Sequence, residues 1–355
     1  MKILITGGAG FIGSSLALYL KQKYPQGKVV AFDNLKRRGS EINLEKFRKV
    51  GVQFVHGDIR SPSDLNSLTD AWDVFLECSA EASVLSGVTS SPAYVLETNL
   101  NGTINCLETA RKSAGLFLFL STSRVYSIAP LRNLKLTEGQ TRFELQSNQA
   151  VSGVSPKGIS ENFPINTSRS FYGTSKLASE YLIQEYVNSY GLRATINRCG
   201  VITGPGQFGT SDQGVYSLWV AHHFLNRPLK YMGFGGMGKQ VRDLLHIEDL
   251  IQLVEKQIES SYQHRGESFN VGGGEEHSVS LAEYTMLCEG VTGKSIAIKR
   301  ESESSAVDIP WFITDAEKAR AEFNWLPQKS KQNIVTDIKE WLKKNEGLVE
   351  ALWQS

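Results

Sequence analysis

A glycine-rich turn follows the first apolar run of the chain and constrains the fold more than any other feature. Lys2–Thr6 predicts a buried strand, and the next residues read Gly7-Gly8-Ala9-Gly10-Phe11-Ile12-Gly13. This spacing satisfies both GxxGxxG and GxGxxG, in which glycine permits a tight turn and a close approach of the backbone to a pyrophosphate. The helix that begins at Phe11 would present unpaired N–H groups to that anion. The residues predicted to hold a dinucleotide are therefore Gly7, Gly10, Phe11, Ile12 and Gly13. The alternative is a turn that only joins strand to helix.

Short β-rich runs alternate with helix-length amphipathic segments over the first 200 residues. The predicted strands are Lys2–Thr6, Lys28–Phe32, Val52–His56, Asp73–Glu77, Leu116–Ser121 and Arg193–Asn197. The predicted helices are Phe11–Lys23, Ile42–Val50, Pro62–Thr69, Pro92–Lys112 and Phe171–Tyr190. This alternation predicts the α/β class, with a doubly wound parallel sheet of the Rossmann type.

The alternation fades in the second part of the chain, which predicts two domains. Residues 1–200 are expected to form the NAD-binding Rossmann domain, with later segments near 240–272 returning to it. Residues 201–355 are expected to form mainly a smaller substrate-binding lobe. The polar stretch from Ser127 to Ser170 is too long for an ordinary α/β connection and indicates an active-site lid or an excursion.

Composition restricts the partners and the compartment. Lys and Arg number 38 against 37 Asp and Glu, and no stretch concentrates charge, so a small molecule is favoured over nucleic acid or a membrane surface. The cysteines are scattered without a CxxC pair, which indicates reduced thiols; neither the cysteines nor the histidines have metal-ligand spacing, so no metal site is expected. The first apolar run, Ile3-Leu4-Ile5, is too short for a signal or a membrane span, and a cytoplasmic location is therefore expected.

Asp33 ends the second predicted strand at about the 20-residue distance typical of a ribose-binding acid. Its carboxylate is suited to accept hydrogen bonds from both adenosine ribose hydroxyls, which favours NAD. NADP stays open because Lys36, Arg37 and Arg38 follow and would neutralise a 2′-phosphate, although an ordinary solvated loop explains them equally well. Asp58, after the third strand, is suited to bond the adenine amine or to shape a strand-end turn.

Tyr172 and Lys176 lie four residues apart in a predicted helix, so both side chains share one face. A free tyrosine has a pKa near 10, and a base near neutrality needs a shift of roughly 3 units, about 4 kcal/mol of differential stabilisation. A neighbouring ammonium is a natural source of it. Thr122 ends the fifth strand at the carboxyl edge of the sheet, where its hydroxyl would bond the substrate oxygen that loses its proton. The alternatives are a solvated helix face and a strand end that satisfies its own backbone.

Five segments occur in this order and together resemble the extended short-chain dehydrogenase/reductase superfamily of nucleotide-sugar enzymes: TGGAGFIG, AFDNL, HGDIR, STSRVY and YGTSK. The resemblance implies that Tyr172 is the general base, that Lys176 holds the nicotinamide ribose, and that Thr122 is the catalytic hydroxyl. It also implies further NAD contacts from Asp33, Asn34, Asp58, Ile59, Ala80 and Asn99. Members usually dimerise through the helices predicted at Pro92–Lys112 and Phe171–Tyr190, which implies a homodimer.

The subfamily is indicated by what surrounds these motifs. Ser123-Arg124 stands where dehydratases of the superfamily carry an Asp-Glu pair, so the residues support oxidation and reduction without elimination. Val201 stands where UDP-galactose 4-epimerases carry asparagine. Segments 206–209, 212–214 and 238–246 are similar to CDP-paratose 2-epimerases, also called CDP-tyvelose epimerases. The implied activity is 2-epimerisation of a CDP-sugar. The alternatives are 4-epimerisation, 4,6-dehydration, decarboxylation and non-catalytic dinucleotide sensing.

The second lobe supplies the predicted substrate contacts. By the pattern of the wider family, Arg242 is expected to grip the diphosphate of a sugar nucleotide, a task suited to a permanently charged fork of donors. The alternative is a structural pair with Asp243 or Asp249. The candidates for lining the nucleotide or sugar pocket are Gln207, Asp212, Gln213 and Trp219, and buried packing explains Trp219 equally well.

Overall fold

The computed structural model of the protein describes residues 1–88, 90–260 and 262–353. The strands are β1 (Lys2–Thr6), β2 (Lys28–Asp33), β3 (Gln53–His56), β4 (Trp72–Glu77), β5 (Ala114–Thr122), β6 (Leu136–Glu138), β7 (Phe143–Leu145), β8 (Val154–Ser155), β9 (Gly158–Ile159), β10 (Ala194–Cys199), β11 (Val201–Thr203), β12 (Leu229–Met232), β13 (Val241–His246), β14 (Arg265–Val271), β15 (Ser278–Ser280), β16 (Ile298–Glu301) and β17 (Trp311–Phe312).

The α-helices are α1 (Phe11–Lys23), α2 (Asn43–Val50), α3 (Pro62–Asn66), α4 (Ala93–Leu96), α5 (Gly102–Ser113), α6 (Ile128–Arg132), α7 (Phe171–Tyr190), α8 (Val215–Leu225), α9 (Ile247–Glu259), α10 (Leu281–Thr292), α11 (Glu317–Phe323), α12 (Lys331–Lys344) and α13 (Glu346–Trp353). The 3₁₀ turns are Ser40–Ile42, Ser123–Val125, Phe234–Gly236 and Glu275–His277, and a π-helical turn spans Glu97–Asn101. No helix within the described ranges is long and apolar enough to cross a membrane.

The first compact unit contains residues 1–125, 170–198 and 251–269 and is built on a seven-stranded sheet. Its strand order is β14-β10-β5-β4-β1-β2-β3, and the pairs from β5 through β3 are parallel. The strands are apolar runs such as Ile3-Leu4-Ile5, which are fully buried because helices cover both faces. The predicted doubly wound parallel sheet is confirmed. Its order changes direction between β1 and β4, the place where open α/β sheets bind their ligands.

One predicted helix is interrupted. The segment Pro92–Lys112 forms α4, the π-helical turn and α5 in place of a single α-helix. Gly102 follows the π-helical turn, and a Cβ there would lie 2.4 Å from the Ile59 side chain, so only glycine fits without displacing that side chain. Such π-turns widen a helix locally and occur frequently at functional sites. Helix α3 is also shorter than predicted and ends at Asn66.

The second compact unit contains residues 126–169 and 199–250 and the described residues from 270 onward. Strands β11, β13, β15 and β17 form its main sheet, and β12 pairs with β16. The stretch after Ser127, included within residues 1–200 in the predicted boundaries, clusters with this unit and contains α6 and the hairpins β6–β7 and β8–β9. Helices α8, α10 and α12 bury a separate core in which Trp219 stacks on Tyr231.

Candidate active site

The glycine-rich turn in the first unit has the geometry of a pyrophosphate cradle. Gly7 has a φ of +64°, and its carbonyl accepts a 3.1 Å hydrogen bond from the Gly10 N–H. A Cβ on Gly13 would lie 2.1 Å from that same carbonyl, so a side chain would force the turn apart. Helix α1 then begins without a side-chain cap and without an acid in its first turn. Its first N–H groups and the helix dipole therefore suit an anion, and the turn fits the pyrophosphate of a dinucleotide.

Asp33, at the end of β2, binds the backbone of this turn. Its carboxylate accepts hydrogen bonds from the Ala9 N–H at 3.0 Å and from the Leu35 N–H at 2.8 Å. Burial raises the pKa of Asp33, while the backbone N–H donors oppose that rise. Asn43 fixes the turn from the other side, because its buried amide donates to the Ala9 carbonyl at 2.9 Å. Sequence reasoning missed Asn43, whose signal is an amide at the start of the otherwise strongly charged helix α2.

The strand-end acid Asp58 has protein partners on two sides. Asn34 donates its side-chain amide to Asp58 at 3.0 Å, and Arg60 pairs with the same carboxylate at 2.6 Å. The Arg60 hydrogen bonds hold the pKa of Asp58 well below its usual range. Asp58 therefore shapes the turn after the strand, which was one of its two interpretations. Its contact with the adenine amine stays a prediction. Of the basic run, Lys36 lies with Nζ 3.5 Å from the Tyr94 ring centroid.

The three residues predicted to be catalytic lie within the first unit. The Ser170 hydroxyl accepts the Gly173 N–H at 3.1 Å and so fixes the start of α7, which places Tyr172 in the first turn and Lys176 one turn later. Both side chains are buried, with 8% and 2% exposed. Thr122 ends β5, against which α7 packs, and its hydroxyl accepts the Arg124 N–H at 3.2 Å. A tyrosine, a lysine and a threonine thus come from one helix and the adjoining strand end.

Asn99 in the π-helical turn links two parts of this unit. Its fully buried side chain accepts the Glu81 N–H at 2.8 Å and donates to the Glu81 carbonyl at 2.9 Å. The same amide donates to the Ser175 hydroxyl at 3.2 Å, in the turn of α7 that carries Lys176. Asn99 therefore holds the loop containing the exposed Ala80 to the helix with the tyrosine and lysine. The NAD contacts of Asn99, Ala80 and Ile59 stay predictions.

Sequence reasoning missed two buried acids of the first unit, Glu180 and Glu77. Glu180, one turn after Lys176, accepts a 2.5 Å hydrogen bond from Ser121 and a forked pair of bonds from Arg198. Glu77 ends β4 with no exposed surface and accepts a 2.6 Å hydrogen bond from the Thr103 hydroxyl. The sequence signal for Glu77 is an acid in an otherwise apolar strand end.

Arg242 in the second unit does form a structural ion pair, but with a partner that neither alternative named. Its guanidinium pairs with Asp308 at 3.2 Å and donates to the Ile309 carbonyl at 2.8 Å. Asp243 follows it on β13, where neighbouring side chains face opposite ways, and is bonded to Thr314 and Gly274. Asp249 instead accepts the N–H groups of residues 328 and 329. The diphosphate contact of Arg242 stays a prediction.

The other predicted pocket residues differ in how they are held. Gln207 donates to the Ile202 carbonyl at 3.1 Å and accepts from the Ser217 hydroxyl at 2.6 Å. The Gln213 Oε1 is buried and, within the described residues, accepts no hydrogen bond. Trp219 is a core residue whose Nε1–H donates to Thr285 at 2.9 Å, so packing accounts for it.

The sheet order, the glycine turn and the acid at the end of β2 define a Rossmann-type dinucleotide-binding protein. The sequence model of the NAD dependent epimerase/dehydratase family matches residues 3–272. The chain belongs to this family and is an NAD-dependent enzyme, which confirms the predicted superfamily and cofactor.

Individual relatives agree with this assignment. The chain is 32% identical over 357 residues to CDP-paratose 2-epimerase of Salmonella typhi, covering 96% of this chain and 99% of the relative. It is 28% identical over 365 residues to UDP-glucose 4-epimerase of Erwinia amylovora, covering 97% and 98%. The solved structure of dTDP-glucose 4,6-dehydratase from Bacillus anthracis, in complex with NAD, superposes with a TM-score of 0.75 at 25% identity and 99% coverage of both chains. The type of enzyme is therefore a nucleotide-sugar epimerase or dehydratase.

Proposed function

We propose that the protein is a nucleotide-sugar 2-epimerase that acts on a CDP-sugar of the paratose and tyvelose type. The observation that carries the proposal is the 32% identity to CDP-paratose 2-epimerase over nearly the full length of both chains. Ser123-Arg124 after Thr122 supports it, because the acids needed for elimination are missing at these two positions.

Tyr172 is the proposed base. As phenolate it accepts the proton of the C2 hydroxyl, and it returns that proton when the hydroxyl forms again on the opposite face. Bound NAD would supply the acceptor for the C2 hydride and the donor that returns it. Between these events the transient 2-keto sugar must rotate within the site, which requires that the residues release one face of the ring and engage the other. The cycle consumes no cofactor, so NAD is expected to stay bound.

Lys176 and Thr122 prepare this proton transfer. The Lys176 ammonium, in the turn after Tyr172, stabilises the phenolate and is proposed to hydrogen-bond the nicotinamide ribose. The Thr122 hydroxyl is proposed to bond the same sugar oxygen as Tyr172, which orients the C–H bond for hydride removal. A low exposed fraction of all three side chains keeps water from the developing charges.

The second candidate is 4-epimerisation, which is favoured by the similarity to UDP-glucose 4-epimerase at 28% identity. It would use the same three residues, and only the orientation of the sugar would differ. Val201 in place of the asparagine of UDP-galactose 4-epimerases supports the 2-epimerase.

We also propose substrate contacts from the second unit. Arg242 would bind the diphosphate with the donors that remain after its bonds to Asp308 and to the Val241 and Ile309 carbonyls, since a guanidinium carries five N–H groups. The buried Oε1 of Gln213 and the amide of Gln207 are proposed to face the nucleotide or sugar.

A cytoplasmic homodimer is the proposed working form. Helix α7 carries Tyr181 and Tyr190 with 51% and 59% of their surface exposed, and Arg111 of α5 stacks on Tyr190. Exposed aromatic residues and arginine are enriched in protein interfaces. The described cysteines are not joined in disulfides, in keeping with a reducing compartment. Light scattering should give twice the monomer mass, and Tyr181→Glu should reduce it to the monomer mass.

The experiment that tests the activity incubates the purified protein in deuterated water with CDP-, UDP- and GDP-sugars and follows each ring by NMR. Inversion at C2 of a CDP-sugar without solvent deuterium supports the proposal, and inversion at C4 supports the second candidate. Loss of water or CO₂ would indicate elimination or decarboxylation. Tyr172→Phe should abolish turnover while NAD remains bound, and Tyr181→Phe on the same helix serves as the matched control.

A further inference from the structure

Glu77 is a buried carboxyl group to which the proposed reaction gives no role. It ends β4 with no exposed surface, and its register partners are Thr6 on β1 and Phe119 on β5. The Thr103 hydroxyl donates to its Oε1 at 2.6 Å. Its Oε2 is buried and has no hydrogen-bond partner within the described residues. A carboxyl group in such a place needs a neighbour that stabilises its charge or keeps it protonated.

Lys176 is that neighbour. The Lys176 Nζ lies 4.2 Å from the ring centroid of Phe119, and Phe119 is the register partner of Glu77 on the adjoining strand. Paired residues on adjacent strands point to the same face with Cβ atoms about 5 Å apart. The ammonium that follows Tyr172 by one turn therefore acts electrostatically on the carboxyl group as well.

Among the described residues packed around Glu77, Lys176 is the source of positive charge. Thr6 faces it from β1, Phe119 from β5, and Thr103 and Cys106 from α5. Burial raises the pKa of the Cys106 thiol far above its usual value, so Cys106 stays neutral. Burial also raises the pKa of Glu77 to about 7, against the opposing effects of Lys176 and the Thr103 hydrogen bond.

We propose that Glu77 is a positioning residue that competes with Tyr172 for the charge of Lys176, so that the carboxyl and the phenol lose their protons as a coupled pair. This inference rests on the proposed function, in which the Tyr172 phenolate is the base. When Glu77 is neutral, the full field of Lys176 stabilises the phenolate. When Glu77 is ionised, it offsets that field and makes the phenol harder to ionise. Two groups coupled in this way lose their protons in two overlapping steps that belong to the pair.

The test is the pH dependence of kcat in the NAD-bound enzyme. In the wild type, kcat should rise on the acidic side of the pH profile over a wider pH range than a single ionisation gives; this rise is the acidic limb. Glu77→Gln removes the competing charge, and we expect a single ionisation displaced to lower pH by about one unit. Thr103→Val removes the hydrogen bond that favours the carboxylate, so it should displace the limb in the same direction by less. In the Glu77→Gln background, Thr103→Val should cause no further displacement of the acidic limb.

Cys106→Ala is the matched control, because it changes the packing beside Glu77 without changing charge, and its limb should coincide with that of the wild type. A Glu77→Gln enzyme that loses activity equally at every pH would overturn the inference. If Glu77→Gln does not fold, an unmoved limb in Thr103→Val overturns it instead. The two proposals can fail separately. Full turnover by Tyr172→Phe would show that Tyr172 is not the base. If Tyr172→Phe is inactive but the pH profile of kcat in Glu77→Gln equals that of the wild type, only the role of Glu77 is wrong.

Discussion

The Ser121 hydroxyl donates a 2.5 Å hydrogen bond to Glu180, which joins the end of β5 to the middle of α7. The same carboxylate receives the Arg198 guanidinium at 2.7 Å, and the two charged side chains are 1% and 8% exposed. Ser121 precedes Thr122, and Glu180 lies one turn after Lys176. This buried pair therefore supports the alignment of the strand and the helix that carry the proposed catalytic groups.

Removing one partner of the Glu180–Arg198 ion pair should lower the free energy of unfolding strongly. Glu180→Leu leaves the Arg198 charge buried without its partner, and we expect the free energy of unfolding in urea to fall by about 3–5 kcal/mol. The double variant Glu180→Leu with Arg198→Leu removes both charges and should be clearly more stable than the single variant. Glu45→Ala, which breaks an exposed pair with Lys49, should leave the urea midpoint nearly unchanged. A double variant as unstable as Glu180→Leu would show that packing, and not the stranded charge, sets the loss.

Gly13→Ala should damage the dinucleotide turn, since its Cβ would lie 2.1 Å from the Gly7 carbonyl oxygen. We expect the free energy of unfolding to fall by at least about 1–3 kcal/mol and NAD binding to weaken, as measured by urea unfolding and calorimetric titration. Gly290→Ala in α10 meets no atom within 4 Å and should raise stability by roughly 0.5–1 kcal/mol. Unchanged NAD binding by Gly13→Ala would contradict the role of the turn as the pyrophosphate cradle.

Asp33→Asn should weaken NAD binding by about 10- to 100-fold, because hydrogen bonds to a charged acceptor contribute about 1.5–3 kcal/mol. The measurement is calorimetric titration of the apoenzyme with NAD. Lys36→Ala, which alters the adjoining basic run and its contact with Tyr94, is the control and should change the affinity much less. The hypothesis that Asp33 binds the ribose would be wrong if both variants bound NAD like the wild type.

The buried Glu77 also makes a prediction for stability against pH. Its pKa in the folded protein is raised from 4.5 to about 7, so between these values the folded state keeps a proton that the unfolded state has lost. The contribution of Glu77 to stability is therefore complete below about pH 4.5 and falls by about 3 kcal/mol as the pH rises to 7. Tm should decline across this range more steeply in the wild type than in Glu77→Gln. Parallel curves would indicate that Glu77 titrates at its ordinary pKa.

The Arg242→Lys variant tests whether Arg242 binds the diphosphate through paired hydrogen bonds or only through its charge. Lysine keeps the charge but loses the paired donors, so KM for the sugar nucleotide should rise about tenfold with little change in kcat. Arg142→Lys, at an arginine of the same unit bonded to Ser278, is the control. An unchanged KM in Arg242→Lys would leave Arg242 with only its structural bond to Asp308.

The cofactor half of the fold was predictable because its signals are local. β1, α1 and α7 occur at the predicted boundaries, since the glycine turn fixes the end of β1 and the start of α1, and the Ser170 cap fixes the start of α7. The sequence also predicted Asp33 beside the turn, because strand ends of a parallel sheet meet at one edge. The type of enzyme followed from the order of several short motifs.

Long-range partners were not predictable in the same way. Asp308 lies 66 residues from Arg242, and Ser121 lies 59 residues from Glu180, so neither pairing leaves a local pattern. The close approach of Gly102 to Ile59, after the π-helical turn at Glu97–Asn101, is likewise a tertiary contact that leaves no local pattern. The neighbours of Glu77 come from two strands, β1 and β5, and from two helices, α5 and α7, which only the folded sheet brings together.

In the proposed reaction, one sugar carbon would be oxidised and reduced again by the same bound nicotinamide, with Tyr172 as base. The most direct measurement uses a CDP-sugar deuterated at C2 and turned over in ordinary water, with mass and NMR analysis of the inverted product. We expect deuterium to remain at C2 of the product. Inverted product carrying solvent hydrogen at C2 would contradict the direct return of the hydride.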